Sequence, residues 1–179
     1  RDEVYLLGYD ILNEPFIIPD RIDTGEGEDM ATGFVSAQAS DFLPDIYAQV
    51  TEAIRSVDRE HIIFVEGDHF ASDFDCLRGI TDEQTALTFH YYPTVWYDDL
   101  YDKEYDRRER EQKFEEVFCR LIRIREEFER PILCGEAGYE IATNGMEDTL
   151  PLIELTFRLF QKYAVSFTLW SYKDACFMG

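Results

Sequence analysis

Basic residues are scarce in this sequence of 179 residues. Lys and Arg number 17 against 38 Asp and Glu, so the formal net charge is −21 at pH 7. Such a chain repels phosphate, which excludes nucleic-acid binding through a basic face and disfavours an anionic membrane surface. No apolar run approaches the ~20 residues that a membrane-spanning helix needs. We therefore expect neither nucleic acid nor a membrane as a partner.

Cysteine is also sparse, and its spacing is not that of a metal site. The four cysteines form no CxxC pair and have no histidine pair nearby, so no zinc or other metal site is expected. We predict four free thiols, with one or two disulfides as the alternative. Free thiols favour a reducing compartment but leave the cellular location open. Because the chain opens on Arg1 and not on Met, we expect a processed or partial product. The cysteines are Cys76, Cys119, Cys134 and Cys176.

The sequence lacks a glycine-rich phosphate loop after its first apolar run, which argues against a dinucleotide-binding sheet. What it has is an alternation of short apolar runs and longer amphipathic stretches, which predicts parallel strands covered by helices. The apolar periodicity predicts strands over residues 4–13, 61–66, 86–92, 131–136 and 165–170. It predicts helices over 41–57, 108–128 and 145–163, with a short helix over 71–77.

Polar or aromatic residues end each predicted strand, and this placement is typical of a (β/α)₈ barrel, whose functional residues lie at the carboxyl ends of the strands. A βαβ unit takes ~30 or more residues, so the chain has room for about five strand–helix units and not eight. We therefore predict an α/β fold, an incomplete (β/α)₈ (TIM) barrel, with residues 1–179 forming part of one domain.

Two glutamates stand out because each ends an apolar strand. Glu14 follows Asn13 at the end of the first strand, and Glu136 ends the fourth. Glutamate is a poor strand former and is rarely buried without a partner, so one such residue alone is more often on the surface. A barrel brings strand ends together around one axis, and paired carboxylates that flank a sugar bond carry out glycoside hydrolysis. The pair therefore indicates a glycosidase site.

Asn13-Glu14-Pro15 after a strand closely resembles the acid/base motif of family 5 glycoside hydrolases, the cellulase and mannanase family of the retaining (β/α)₈ clan. The resemblance continues in order along the chain and implies the fourth to the eighth barrel strands. The further matching segments are Ile63-Phe64-Val65-Glu66-Gly67, Phe89-His90-Tyr91-Tyr92-Pro93, Gly135-Glu136 and Leu169-Trp170-Ser171-Tyr172-Lys173-Asp174.

The resemblance implies a role for each matching site residue. Glu14 would be the general acid/base and Glu136 the nucleophile, while Asn13 would donate to the substrate 2-hydroxyl. Tyr92 would hydrogen-bond Glu136. His90 would contact either a sugar hydroxyl or the acid/base residue. Trp170 would stack on the sugar. Without the resemblance, Asn13 could cap a turn, and His90 and Trp170 could simply be core residues.

The resemblance implies a retaining hydrolase of β-linked glucan- or mannan-type sugars, of the endo-β-glucanase or β-mannanase kind, that needs no metal and no cofactor. The first three strands have no match here, so a missing N-terminal barrel segment, in cis or from another chain, is expected as a partner. These 179 residues alone are expected to be inactive and aggregation-prone. The alternatives are a non-catalytic carbohydrate-binding or pseudoenzyme barrel, or another retaining family of the same clan.

Some other residues carry weaker indications. Asp10 shares strand parity with Glu14 and could face the barrel interior, and Glu66 lies at a strand end close to the expected cleft. Trp96, Tyr97 and Tyr101 follow the third strand and could form a sugar platform or a packed loop. The acidic stretch over residues 20–29 lacks EF-hand spacing and is expected to be a solvated loop.

Overall fold

The fold is described from a computed structural model. The structure describes residues 5–16, 42–93, 106–139, 141 and 145–171. The chain forms two compact units, Arg1–Ala86 and Leu87–Gly179.

Five short strands lie in the sheet in the order of the chain. Helices separate them as the periodicity predicts, except that only turns lie between the second strand and the third. The strands are β1 (Gly8–Asp10), β2 (Ile62–Glu66), β3 (Thr85–Tyr91), β4 (Ile132–Ala137) and β5 (Ser166–Leu169). The α-helices are α1 (Leu43–Arg55), α2 (Arg107–Leu121), α3 (Ile124–Glu127) and α4 (Met146–Lys162), with a 3₁₀ turn at Asp75–Leu77.

Two of the predicted helices differ from the structure. The stretch predicted over 108–128 is interrupted after Leu121, because the Arg125 N–H donates to the Ile122 carbonyl at 3.1 Å, a bond to the third residue back that tightens the turn. The short helix predicted over 71–77 is a 3₁₀ turn at Asp75–Leu77, and another turn, Asp68–Ala71, precedes it. In that turn His69, Phe70 and Ala71 all have positive φ, which an α-helix does not allow.

In the first unit, β1 and β2 pair in parallel, with Gly8 opposite Ile62 and Asp10 opposite Phe64. Glycine is required at position 8, because a Cβ there would lie 2.2 Å from the Ile62 carbonyl oxygen. Helix α1 buries Leu43 and Tyr47, which lie four residues apart and so share one face of the helix.

The amino-terminal end of β2 is fixed by the buried Asp58. Its Oδ1 accepts hydrogen bonds from the backbone N–H groups of Glu60 (3.0 Å) and His61 (3.2 Å), and its Oδ2 accepts one from the Tyr9 hydroxyl at 2.9 Å. The Glu60 N–H is the main reason why the pKa of Asp58 lies well below its ordinary value. This carboxylate joins β1 to the turn that precedes β2.

In the second unit, β4 lies between β3 and β5 and is parallel to both. The β3–β4 register shifts between Phe89 and His90, so that Phe89 faces Cys134 but His90 faces Glu136. Gly135 is therefore the extra residue of a β-bulge. A second shift follows in the β4–β5 register, between Cys134 and Ala137.

The core of the second unit is aromatic. Tyr91 on β3 and Phe160 on α4 both contact Phe118 on α2 edge-on, with ring centroids 5.4 and 5.3 Å apart. Phe160 also stacks on Phe167 of β5 at 4.2 Å. Such pairs contribute about 0.5–1.5 kcal/mol each beyond the area they bury, so these rings hold the two long helices against the strands.

Among the described cysteines, Cys76, Cys119 and Cys134 are free thiols, as predicted; Cys176 lies outside the described residues. In the part of the chain that the structure describes, no helix has both the length and the apolar character needed to cross a membrane.

Candidate active site

In the first unit, the predicted acid/base residue lies directly after β1. Glu14 is half-buried and Asn13 beside it is exposed. Glu14 has a φ of 47°, in the left-handed region that a residue other than glycine seldom occupies. Its backbone N–H donates to Oε2 of Glu66 at 2.5 Å. The strand-end Glu66 thus contacts Glu14 directly, and Asp10 is exposed at the end of β1.

In the second unit, the predicted nucleophile lies near the end of β4 and meets two of the predicted substrate-binding residues. The Tyr92 hydroxyl donates a hydrogen bond to Oε2 of Glu136. Nδ1 of His90 lies 3.7 Å from the same oxygen, which is too far for a hydrogen bond. The rings of His90 and Tyr92 meet edge-on. Because the bulge at Gly135 sets His90 opposite Glu136, it aligns these side chains.

The side chains of this cluster are largely buried. The His90 side chain is 1% exposed, whereas that of Glu136 is 14% exposed. The thiol of Cys134 donates to the Glu136 carbonyl at 3.1 Å, and burial raises the pKa of Cys134 well above its ordinary value. This neighbouring sulfur therefore stays a protonated thiol and not a nucleophile.

Trp170 follows β5 and is 49% exposed, so it is not a core residue. Its backbone N–H donates to the Ala137 carbonyl at 3.0 Å, which ties it to the strand end that carries Glu136. Gly138 allows this approach. A Cβ at position 138 would lie 2.5 Å from the Trp170 carbonyl oxygen and 2.7 Å from Cε1 of Tyr92.

Sequence reasoning missed the two glycines that shape this region. Gly135 forms the bulge, and Gly138 makes room for Tyr92 and Trp170. A glycine within a predicted strand is a signal for a bulge or a close approach and could have indicated Gly135, whereas Gly138 lies beyond the strand predicted over 131–136 and carries no such signal. Trp96, Tyr97, Tyr101 and the acidic stretch over 20–29 lie outside the described residues.

Parallel strands that follow one another in chain order and end in carboxylate and aromatic residues define a (β/α)₈-type fold. The fold is that of part of such a barrel. Residues 2–175 match the family Cellulase (glycosyl hydrolase family 5), and the chain belongs to that family.

Two glycosidases are similar to this chain in sequence, and a solved structure is similar to it in fold. An endoglycoceramidase of Cyanea nozakii is 27% identical over 181 residues, covering 97% of this chain and 31% of that protein. A β-xylosidase of Phanerodontia chrysosporium is 26% identical over 190 residues, covering 100% of this chain and 36% of that protein. Thermotoga maritima Cel5A, solved with mannotriose, superposes with a TM-score of 0.62 at 16% identity, covering 75% of this chain and 48% of that one. The chain thus spans about a third of the length of these two relatives.

Proposed function

We propose that this protein is a retaining glycoside hydrolase that cleaves β-linked polysaccharides or oligosaccharides by double displacement. Family membership supports hydrolysis of a glycosidic bond. The observation that carries the mechanism is the hydrogen bond from the Tyr92 hydroxyl to Oε2 of Glu136, because it directs one carboxylate oxygen toward the tyrosine and leaves the other for attack. Glu136 is the proposed nucleophile and Glu14 the proposed acid/base.

In the first proposed step, Oε1 of Glu136 attacks the anomeric carbon while the bond to the leaving oxygen breaks. Glu14 gives its proton to that oxygen, so the leaving group departs as a neutral alcohol. The product of the step is a glycosyl ester on Glu136. Tyr92 holds the carboxylate in line for attack. As the carboxylate loses its negative charge and becomes an ester, the Tyr92 hydroxyl continues to donate to the same oxygen.

In the second proposed step, the ionised Glu14 removes a proton from water, and the resulting oxygen nucleophile attacks the anomeric carbon from the face opposite Glu136. The ester bond breaks, and Glu136 leaves as a carboxylate. Two inversions at one carbon give net retention.

The remaining predicted residues act on the sugar in this proposal. The exposed Asn13 donates to the 2-hydroxyl, a contact that strengthens in an oxocarbenium-like transition state. His90 contacts a sugar hydroxyl or the acid/base residue. The half-exposed indole of Trp170 offers an apolar face on which a pyranose can stack.

The proposed substrate is a β-linked glucan or mannan, cleaved in the manner of an endo-β-glucanase or β-mannanase. The mannotriose bound in the solved Cel5A structure supports this class of sugar, and the endoglycoceramidase and β-xylosidase relatives add two other glycosidase types. The proposed active form is this chain with a segment that supplies the first three barrel strands, in the same polypeptide or as a second chain. We call it the completed protein. The inactivity of residues 1–179 alone stays a prediction.

The stereochemistry of hydrolysis tests the mechanism. For the completed protein acting on a β-linked oligosaccharide, we expect the β-anomer of the new reducing end to appear first in proton NMR spectra, before mutarotation. First appearance of the α-anomer would show inversion, and would overturn double displacement. Sugar binding without any turnover would favour the non-catalytic alternative.

The close packing at Gly138 gives a second test. Because a Cβ there would collide with the Tyr92 ring and the Trp170 carbonyl, Gly138→Ala should displace Tyr92 from Glu136 and lower kcat/KM by about 100-fold, the size expected for a misplacement near 1 Å. Steady-state kinetics on an aryl β-glycoside would measure the loss.

Gly79→Ala is the matched control, since a Cβ at position 79 would have no heavy atom within 4 Å. It should leave kcat/KM unchanged. Wild-type kinetics in Gly138→Ala would mean that the position of Tyr92 does not matter for turnover.

A further inference from the structure

The carboxyl group of Glu66, at the end of β2, is buried and contacts the backbone of the proposed acid/base residue. Glu66 is 0% exposed, so its carboxyl group is surrounded by protein atoms. Its Oε2 accepts the backbone N–H of Glu14 at 2.5 Å. A buried carboxyl group is rare without a specific partner, and here one partner is a backbone group that β1 and β2 bring together across 52 positions of sequence.

The Glu14 backbone has a conformation that needs such support. A φ of 47° is strained for a residue other than glycine, and the surrounding contacts must hold it in place. The hydrogen bond to Glu66 fixes the peptide plane just before the Glu14 Cα. Because φ of Glu14 sets where its Cβ points, this bond also sets the direction in which its carboxyl group leaves the chain.

Glu66 is itself held from a third element, helix α1. The Tyr47 hydroxyl donates to the Glu66 carbonyl at 2.8 Å and accepts the Glu66 N–H at 3.2 Å. Burial raises the pKa of Tyr47, so the hydroxyl keeps the proton that it donates. Tyr47 on α1, the end of β2 and the Glu14 backbone are thus linked by consecutive hydrogen bonds.

We propose that Glu66 is a positioning residue for the acid/base step: through its hydrogen bond to the Glu14 N–H, it aims the Glu14 carboxyl group at the leaving oxygen. This inference rests on the proposed function, because it requires Glu14 to be the acid. The inference predicts that the two kinds of substrate respond differently. Loss of the contact should impair substrates whose leaving group needs a proton and spare those whose leaving group does not.

The test compares kcat/KM of the completed protein on an unactivated β-linked oligosaccharide and on a dinitrophenyl β-glycoside of the same sugar. For these substrates kcat/KM reports the first chemical step, and only the oligosaccharide requires protonation there. In Glu66→Ala we expect the ratio of oligosaccharide to aryl-glycoside kcat/KM to fall by about 10- to 100-fold. Glu66→Gln, whose amide oxygen can still accept the Glu14 N–H, should stay close to the wild-type ratio.

The matched control is Asp58→Asn, which alters another buried carboxylate at the opposite end of β2. It should lower stability and leave the ratio unchanged. An equal loss on both substrates in Glu66→Ala would show a merely structural role and overturn the inference. If the ratio falls equally in Glu66→Gln and in Glu66→Ala, the inference is also overturned, because the hydrogen bond is then not the cause.

Two further variants separate the possible failures. If Glu66→Ala does not fold, Glu66→Leu decides, since it fills much of the same volume but has no acceptor for the Glu14 N–H: a lowered ratio supports the inference, and an unchanged ratio overturns it. Glu14→Ala tests the proposed function alone. If Glu14→Ala leaves the ratio unchanged, Glu14 is not the acid. If it lowers the ratio while Glu66→Ala does not, the proposed function stands and the positioning role is wrong.

Discussion

Glu136→Gln should abolish hydrolysis, with a loss of at least ~10⁴-fold in kcat even on an aryl β-glycoside with a good leaving group, because no nucleophile remains to form the covalent intermediate. The substitution is isosteric, and the amide oxygen can still accept the hydrogen bond that Tyr92 donates to Oε2 of Glu136 in the structure. The loss should therefore arise in the chemical step and not in packing.

Steady-state kinetics and a urea unfolding curve of the completed protein would separate these causes. Glu127→Gln is a suitable control, since it removes the same charge from an exposed position on α3 of the same unit and should retain full activity. A folded Glu136→Gln protein with a substantial fraction of wild-type kcat would show that the nucleophile is elsewhere.

Apolar periodicity predicts much of the fold. The prediction is accurate where the local preference of the residues agrees with their tertiary contacts. The β-branched run at the start of β2 predicts a strand over 61–66, and the structure has Ile62–Glu66. The amphipathic stretch over 145–163 becomes helix Met146–Lys162, which buries Leu152, Leu155 and Leu159 at helical spacing. In both segments the residue types and the buried face favour the same element.

Prediction failed where the backbone adopts a conformation that its residues do not favour. His69, Phe70 and Ala71 have φ values of 53°, 58° and 58°, and no propensity signal marks such residues for the left-handed region. The predicted first strand over 4–13 is reduced to Gly8–Asp10 among the described residues. Glu14 also has positive φ, so the turn geometry at the candidate site could not be predicted from its sequence.

The candidate site was predictable in its residue types but not in its supporting contacts. Strand-end position singles out Glu14 and Glu136, and the family resemblance adds the tyrosine contact, which is present between Tyr92 and Glu136; their catalytic roles remain predictions. The bond between the Glu14 N–H and Glu66 depends on the β1–β2 register. A contact between residues so far apart in the chain leaves no local pattern.

Glu14→Ala should divide the two chemical steps of the proposed mechanism. On a dinitrophenyl β-glycoside, formation of the glycosyl–Glu136 ester should be nearly unaffected, since this leaving group departs without a proton. Hydrolysis of the ester should slow by about 10²–10⁴-fold, the usual contribution of a general base. A burst of released phenol followed by slow turnover would reveal the accumulated intermediate.

Added azide should then restore turnover, because this anion attacks the anomeric carbon without a general base and Glu136 leaves as a carboxylate. The product should be a β-glycosyl azide, identified by NMR, since displacement occurs on the face that Glu14 would have served. Glu52→Ala, at an exposed position on α1, should show neither the burst nor any response to azide. An unrescued loss in Glu14→Ala equal to that in Glu136→Gln would contradict the division of roles, because two carboxylates with different functions must fail at different steps.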